Sequence, residues 1–312
     1  MQSVLQPGVG GMLRRALRPA ARLNIVAAAR TYSAPAGTAG DGEAPQTTRA
    51  EKTLSRFWKN VSLAYEPESA DRTDAFVVQL DRRSLRTPGG NILRVPSNRP
   101  LLACLVAQEW DEQSQVVKPH SLPMTSLAAR AIDGLSEKRS RADVESLLMR
   151  YFQTDAVCYQ ENEPELLVQL QKERWDPLIA WVQETFGIPI ARIEGLFGSG
   201  QAKEAHERLA QELSSLDAFD LAGFERAVTT SKSFIIALAL LRRHIDAEQA
   251  ALAAEVEVAS QVHAWGAVED SHDVDHAELR RQLASVACAQ NTTARPAVER
   301  FIAALERRGG KL

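Results

Sequence analysis

The sequence predicts an α+β protein, with a small β-rich N-terminal domain over residues 51–134 and an all-helical C-terminal domain over 135–312 that ends in a poorly ordered tail after Ala289. Three observations carry this. Val61, Leu63 and Tyr65 alternate with other residues, and Phe76, Val78 and Leu80 repeat the spacing, which is the period of strands with one buried face. Beyond Thr125 the apolar residues fall at three- and four-residue intervals instead, the period of helices packed on one side. The chain has 312 residues, 45% of them hydrophobic, enough to bury two modest cores.

The first 40 residues hold Arg14, Arg15, Arg18, Arg22 and Arg30 and no acid, the first carboxylate being Asp41. Met12, Leu13, Leu17, Leu23, Ile25 and Val26 lie among these arginines, so a helix here has one apolar and one cationic face. That is the composition of a mitochondrial transit peptide, placed at residues 1–32. Arg30-Thr31-Tyr32-Ser33 reads as its processing site, so the mature chain is expected to begin close to Ser33 in the mitochondrial matrix. N-terminal sequencing of the endogenous protein checks this, and an intact Met1 or a cytosolic location contradicts it. Cleavage removes five arginines and takes the formal net charge from −3 to −8. A mildly acidic chain argues against nucleic acid as a partner, since phosphate binding needs clustered Lys and Arg. The three cysteines, Cys104, Cys158 and Cys288, are odd in number and far apart, as expected of buried free thiols in a reducing compartment. No stable membrane insertion is expected: the longest apolar run, Phe234 to Leu241, has eight residues against the roughly 20 of a spanning helix.

Residues 33–50 are small, polar and rich in Pro and Gly, too poor in apolar surface to order themselves, and are read as a disordered linker. The strands around Leu63 and Val78 follow, with turns at 81–84 and at Pro88-Gly89-Gly90-Asn91 and a return strand through Ile92, Leu93 and Val95. An antiparallel meander results. Ser97 and Asn98 offer side-chain oxygens to cap a helix whose Leu102, Leu105, Val106 and Trp110 face the sheet, so Trp110 is expected to be structural. Pro119 and Pro123 then impose extended chain.

In the helical part, Leu127, Ala131 and Ile132 predict a short helix ended by Gly134, and Val144, Leu147, Leu148 and Tyr151 the next. Asp155 to Tyr159 is a short strand or an extended link. Pro164 and Asp176-Pro177 each open an amphipathic helix, because proline lacks an N–H that a helix start leaves unpaired anyway. The first carries Leu166, Leu167 and Leu170; the second carries Leu178, Trp181, Val182 and Phe186 and stops at Gly187. The Gly195 to Gly200 segment lacks the Gly and Lys order that cradles phosphate and is read as a flexible loop. Further helices are expected over 202–216, 221–244, from an Asp246/Gln249 capping box to Ala264, and from Asp270 or Asp273 to Cys288.

Few residues point to chemistry. His272 and His276, four apart with Asp273 and Asp275 between them, would place two imidazoles on one helix face as metal ligands, the basis of an alternative reading as a matrix enzyme. They also fit an acidic helix start in which Asp270 and Asp273 act as caps. Trp58, Trp110, Trp175, Trp181 and Trp265 sit among apolar residues and are expected in the core. After Asp246 one stripe holds Ala251, Ala254, Val258, Val262 and Trp265, a second holds Leu252, Val256 and Ala259, and Glu255 and Glu257 flank the main stripe. A helix this apolar is central to its bundle or meets a partner.

The order and spacing of Arg56-Phe57-Trp58-Lys59-Asn60-Val61, Leu85-Arg86-Thr87-Pro88, Glu109-Trp110-Asp111, Thr154-Asp155, Cys158-Tyr159, Glu163-Pro164-Glu165-Leu166, Glu173-Arg174-Trp175-Asp176-Pro177 and Trp265-Gly266 carry a family likeness. Across roughly residues 51–285 the chain resembles the mitochondrial chaperones that assemble the catalytic head, the F-one sector, of ATP synthase. Within them it is similar to the branch that holds the unassembled α subunit. The resemblance implies a chaperone that keeps the free α subunit from aggregating, hands it to the β subunit and hydrolyses nothing; a monomer is expected, with no cofactor and no catalytic or metal residue. It also implies that a glutamate about two turns before the Trp-Gly pair matters in this family, and a carboxylate at the margin of the apolar stripe is expected to be presented to the client. Glu257, eight residues before Trp265, is the matching position, with Glu255 the neighbouring register. Trp110, Trp175, Asp176 and Trp265 are expected to be structural.

Overall fold

The computed structural model describes residues 55–135, 137–194 and 200–310; the expected transit peptide over 1–32, the expected linker over 33–50 and most of the glycine-rich segment lie outside the described residues. Strand β2 (Ala75–Leu80) organises the N-terminal part. It pairs antiparallel with β1 (Val61–Glu66) on one side, and with β3 (Arg83–Ser84) and β4 (Arg94–Pro96) on the other. The meander forms as expected, but β2 is buried on both faces: Ala75 and Val77 are as inaccessible as Phe76, Val78 and Leu80. Its run Ala-Phe-Val-Val has the continuous apolar character of a covered strand. Helix α1 (Pro100–Asp111) lies against the sheet with Leu102, Val106 and Trp110 buried. Its start owes nothing to Ser97 or Asn98, since no side chain caps it, and Pro100 occupies the first turn.

Helix α2 (Pro123–Ala129) runs into a π-helical turn over Arg130–Gly134, and α3 (Lys138–Gln153) follows. Next come β5 (Tyr159–Gln160), α4 (Glu165–Arg174), α5 (Asp176–Phe186) and β6 (Ile193–Glu194), which pairs parallel with β5. Gly187 ends α5 with a left-handed backbone, φ 66°, which glycine adopts without steric cost. Helix α6 (Lys203–Ser214) matches its expected span closely. The single helix expected over 221–244 is two, α7 (Ala218–Ser231) and α8 (Phe234–Leu241), separated by Lys232 at φ 59°. The helix expected to reach Ala264 also divides, into α9 (Ala247–Ala254) and α10 (Val256–Trp265). Helices α11 (His272–Ala289) and α12 (Arg295–Arg307) complete the described chain.

Two expectations about organisation are corrected. Residues 52–312 form a single compact unit, and one apolar core runs from Trp58 to Leu305, so no boundary between two cores falls at 134–135. The chain after Ala289 is ordered as α12, whose Val298, Ile302 and Leu305 are buried. Phe301 stands edge-on to Phe76 with ring centres 5.3 Å apart, and the Gly310 carbonyl accepts from Leu63 N–H at 2.9 Å. The last helix therefore closes over the first strands. Cys158 is buried as expected, whereas Cys104 and Cys288 are only half-buried; all three are free thiols.

Asp155 explains the break before α8. Its side chain is fully buried, one oxygen accepting from Val157 N–H at 3.0 Å and the other from Ile235 N–H at 2.8 Å, which satisfies donors at the start of α8. Burial pushes its pKa up to about 6, against the lowering effect of those hydrogen bonds. The folded protein thus holds this proton to higher pH than the unfolded chain does, and the stability it contributes is lost as pH rises from about 4 to 6. Asp155→Asn, compared with the parent in urea melts at pH 4.5 and 7, is expected to remove on the order of 2 kcal/mol of that dependence.

Candidate partner-binding surface

The Glu173-Arg174-Trp175-Asp176-Pro177 motif builds the support for this surface. At the α4–α5 junction the Arg174 guanidinium donates to the Leu252 carbonyl at 2.9 Å and the Trp175 indole N–H donates to the Ala253 carbonyl at 2.8 Å. These are carbonyls that the end of a helix leaves unpaired, so the two side chains stabilise the termination of α9. Trp175 is 3% exposed. Asp176 accepts from Gln160 Nε2 at 2.9 Å and pairs with Arg192 at 3.2 Å, tying α5 to the small parallel sheet.

Glu255 occupies the joint between α9 and α10 and points inward. It is 8% exposed, pairs with Arg280 of α11 at 3.1 Å and contacts Nδ1 of His276. Arg280 also holds Glu248, and hydrogen bonding to Glu248 first, then to Glu255, raises its pKa further above the ordinary arginine range. Glu255 is therefore corrected from a candidate partner contact to a buried ion-pair member, because the helix breaks at its own position and turns the carboxylate toward α11. Glu255→Lys is expected to lower stability by about 3–5 kcal/mol, read as a fall in melting temperature, by setting a second cation against Arg280.

Helix α10 leaves that joint and lies against α4 with only Val256 and Ser260 buried. Glu257 is exposed in its first turn. Val258 and Val262 of the expected stripe are half-covered, and Trp265, at its end, is 81% exposed. Trp265 is thus corrected from a core residue to a surface one: the helix spacing is right, but no element packs on that face beyond Val262. Val268 at 60% and Val274 at 61% extend the exposed apolar surface into the following turn and the start of α11. Glu269, Asp270, Asp273 and Asp275 lie exposed in the same stretch. No lysine or arginine occurs anywhere from 244 to 279. That gap in basic residues is a signal legible in the sequence that points to Val268 and Val274 as well as to Glu257. Isolated exposed apolar residues are ordinary, but a tryptophan this open, followed by two exposed valines and four exposed carboxylates, makes this stretch the candidate partner surface.

The two histidines do not converge. His272 Nδ1 accepts from Val268 N–H at 3.0 Å, holding the turn, while His276 faces Glu255. Among the described residues no group of three or more His, Cys, Asp or Glu side chains is arranged to hold a metal ion. Nor do Asp270 and Asp273 cap α11, which starts without a side-chain cap. Among the described residues no helix is long and apolar enough to cross a membrane.

The family profile described as ATP12 chaperone protein matches residues 55–183. The mitochondrial protein atp12 of Schizosaccharomyces pombe is 36% identical over 245 residues, covering 76% of this chain and 82% of that protein. The mitochondrial ATP12 of Saccharomyces cerevisiae is 34% identical over 283 residues, covering 78% and 86%. Among solved structures, Atp12 from Paracoccus denitrificans superposes with a TM-score of 0.67 at 30% identity, over 76% of this chain and 97% of that one.

Proposed function

The chain belongs to the ATP12 chaperone family, assembly chaperones of the F-type ATP synthase, and we propose that its client is the free α subunit of that enzyme's catalytic head. It works in the mitochondrial matrix, hydrolyses nothing, and acts as a monomer by covering subunit surface until the β subunit takes its place. The observation that carries this reading is the exposed Trp265, flanked by Val268, Val274 and Glu257 in a stretch without a single lysine or arginine. An obligate subunit that has not met its neighbour displays a large apolar interface. A chaperone for it needs an apolar contact of its own, with charge that steers encounter, and must bind less tightly than the final partner. Trp265 supplies the apolar anchor and the acidic rim favours basic residues on the client.

The reading is tested by the ability of the purified protein to keep denatured α subunit soluble on dilution, with β subunit as the control. Glu257→Lys is expected to keep its melting temperature, because the side chain is solvent-exposed and such changes move stability by about half a kcal/mol. It should weaken client protection by about 2 kcal/mol, more than tenfold in the concentration required, through like-charge repulsion. Equal protection of α and β subunits, or loss of protection that merely tracks loss of melting temperature, overturns the assignment.

A further inference from the structure

On another part of the molecule, a cleft of about 710 Å³ opens between the Thr87–Asn91 turn, the end of α1 and the π-helical turn at 130–134. Its size is that of a small-molecule site, and its walls are apolar: Trp110, Val117, Leu122 and Ala129 are buried residues that line it, with Pro88 at the edge. The cleft is held open by bonds internal to the protein. Asp133 accepts from Thr87 Oγ1 at 2.7 Å, Gly89 N–H at 2.8 Å and Asn91 Nδ2 at 2.9 Å, fixing the turn against the π-helical segment. Thr125 receives the Trp110 indole N–H at 3.0 Å and donates to Glu109. Arg130 is engaged by both carboxylate oxygens of Glu225 at 2.8 Å. The remaining lining charge is Arg86. It is exposed, donates one Nη1 bond to the Gly90 carbonyl at 2.6 Å, and among the described residues pairs with no carboxylate.

The walls are apolar, the oxygens of the lining Asp133 carboxylate are already taken by three protein donors, and the rim guanidinium of Arg86 has no carboxylate partner among the described residues, so the cleft suits an apolar body carrying a single anionic head directed to Arg86. A guanidinium with donors to spare accepts a carboxylate through paired N–H bonds. We propose that this cleft binds a medium-chain carboxylate, its alkyl chain along Trp110, Val117, Leu122 and Ala129 and its head on Arg86. The site is separate from the client surface at Glu257 and Trp265 and stands whether or not the α subunit is the client.

Titration calorimetry of the mature protein with decanoate below its micellar concentration, with decanol, and with an N-capped leucyl-aspartate dipeptide tests it. Decanoate is expected to bind at one site, about fivefold tighter than decanol, the effect of one partly solvated ion pair. Arg86→Gln should abolish that preference while leaving decanol unaffected. Ala129→Leu, which narrows the cleft without adding charge, should weaken both ligands at least tenfold, and Trp265→Ser should weaken neither. Melting curves of each variant establish that it is folded. Absence of decanoate binding, binding lost with Trp265→Ser, a preference that survives Arg86→Gln, or binding of the dipeptide alone would each overturn the proposal.

Discussion

Trp110→Arg is expected to prevent the protein from accumulating in folded form. The indole is 9% exposed, its ring centre lies 5.1 Å from that of Trp58, and the Trp110 carbonyl accepts the Trp58 indole N–H at 3.2 Å. On its other side the Trp110 indole N–H donates to Thr125, whose backbone and hydroxyl are held by Glu109, so one side chain joins the segment before β1, α1 and the first turn of α2. Removing a buried aromatic of this size costs about 3–5 kcal/mol. Desolvating the guanidinium that replaces it adds a further penalty of about 1–3 kcal/mol or more. The sum rivals the 5–15 kcal/mol that holds a typical domain together. A fall of about 10 °C or more in melting temperature is expected, if the variant can be isolated at all. Trp110→Phe, which keeps most of the apolar body, should lose only the Thr125 bond and part of the packing. A Trp110→Arg protein that melts like the parent yet no longer protects the client would place the residue at the interface instead.

Arg99→Ala is the second large effect. Arg99 is 1% exposed, with its guanidinium on Asp217 at 2.6 Å, on Asp220 at 3.0 Å and on the Ala289 carbonyl at 3.1 Å. It fastens the residue before α1 to the start of α7 and the end of α11. Asp217 is half-exposed and water screens it once unpaired, but Asp220 is mostly covered and the space of a fully buried side chain is emptied, so the loss is expected to be about 2–4 kcal/mol. Asp220 already has its pKa raised by desolvation, with the Arg99 charge working to lower it, so without Arg99 the carboxyl becomes harder still to ionise. A carboxylate whose folded pKa is raised contributes stability that fades as pH rises. The destabilisation caused by Arg99→Ala is therefore expected to be largest at neutral pH and to shrink as pH falls through the carboxylate range. Urea melts across that range read it directly. Arg99→Met, which keeps much of the volume but loses the charge, separates packing from charge: a small cost for Met beside a large one for Ala would show that the charge contacts contribute little.

The parts of the fold that sequence spacing captured are those whose physics is local. Alternation found β1 and β2, proline placed the starts of α4 and α5, the Asp246/Gln249 box capped α9, and Gly187 ended α5, whereas the start of α1, expected from Ser97 and Asn98, is made by Pro100 instead. The misses have partners far along the chain. The break at Lys232 is accompanied by Asp155 reaching Ile235 from 80 residues away, and the break at Glu255 by Arg174 and Trp175 taking carbonyls 78 residues on. Nothing within a helical window reports either contact. Trp265 was misplaced for a related reason: periodicity says which residues share a face, not whether another element covers it. Glu255 and Glu257 are two residues apart and chemically alike, and only the direction of the joint between α9 and α10 separates a buried ion pair from an exposed carboxylate.

Site-specific photocrosslinking tests the central claim most directly. A benzoylphenylalanine placed at position 265, where the native side chain is 81% exposed, would be irradiated with free α subunit, free β subunit and the assembled catalytic head in separate reactions. A second probe at position 57, where Phe57 is 64% exposed and stands against Trp58 before β1, serves as an exposed aromatic site on a different element. The account predicts a covalent adduct from position 265 with the free α subunit alone, reduced when Glu257→Lys is added, and little adduct from position 57. An adduct that forms from position 57 but not from 265, or from 265 equally with the assembled head, would contradict it.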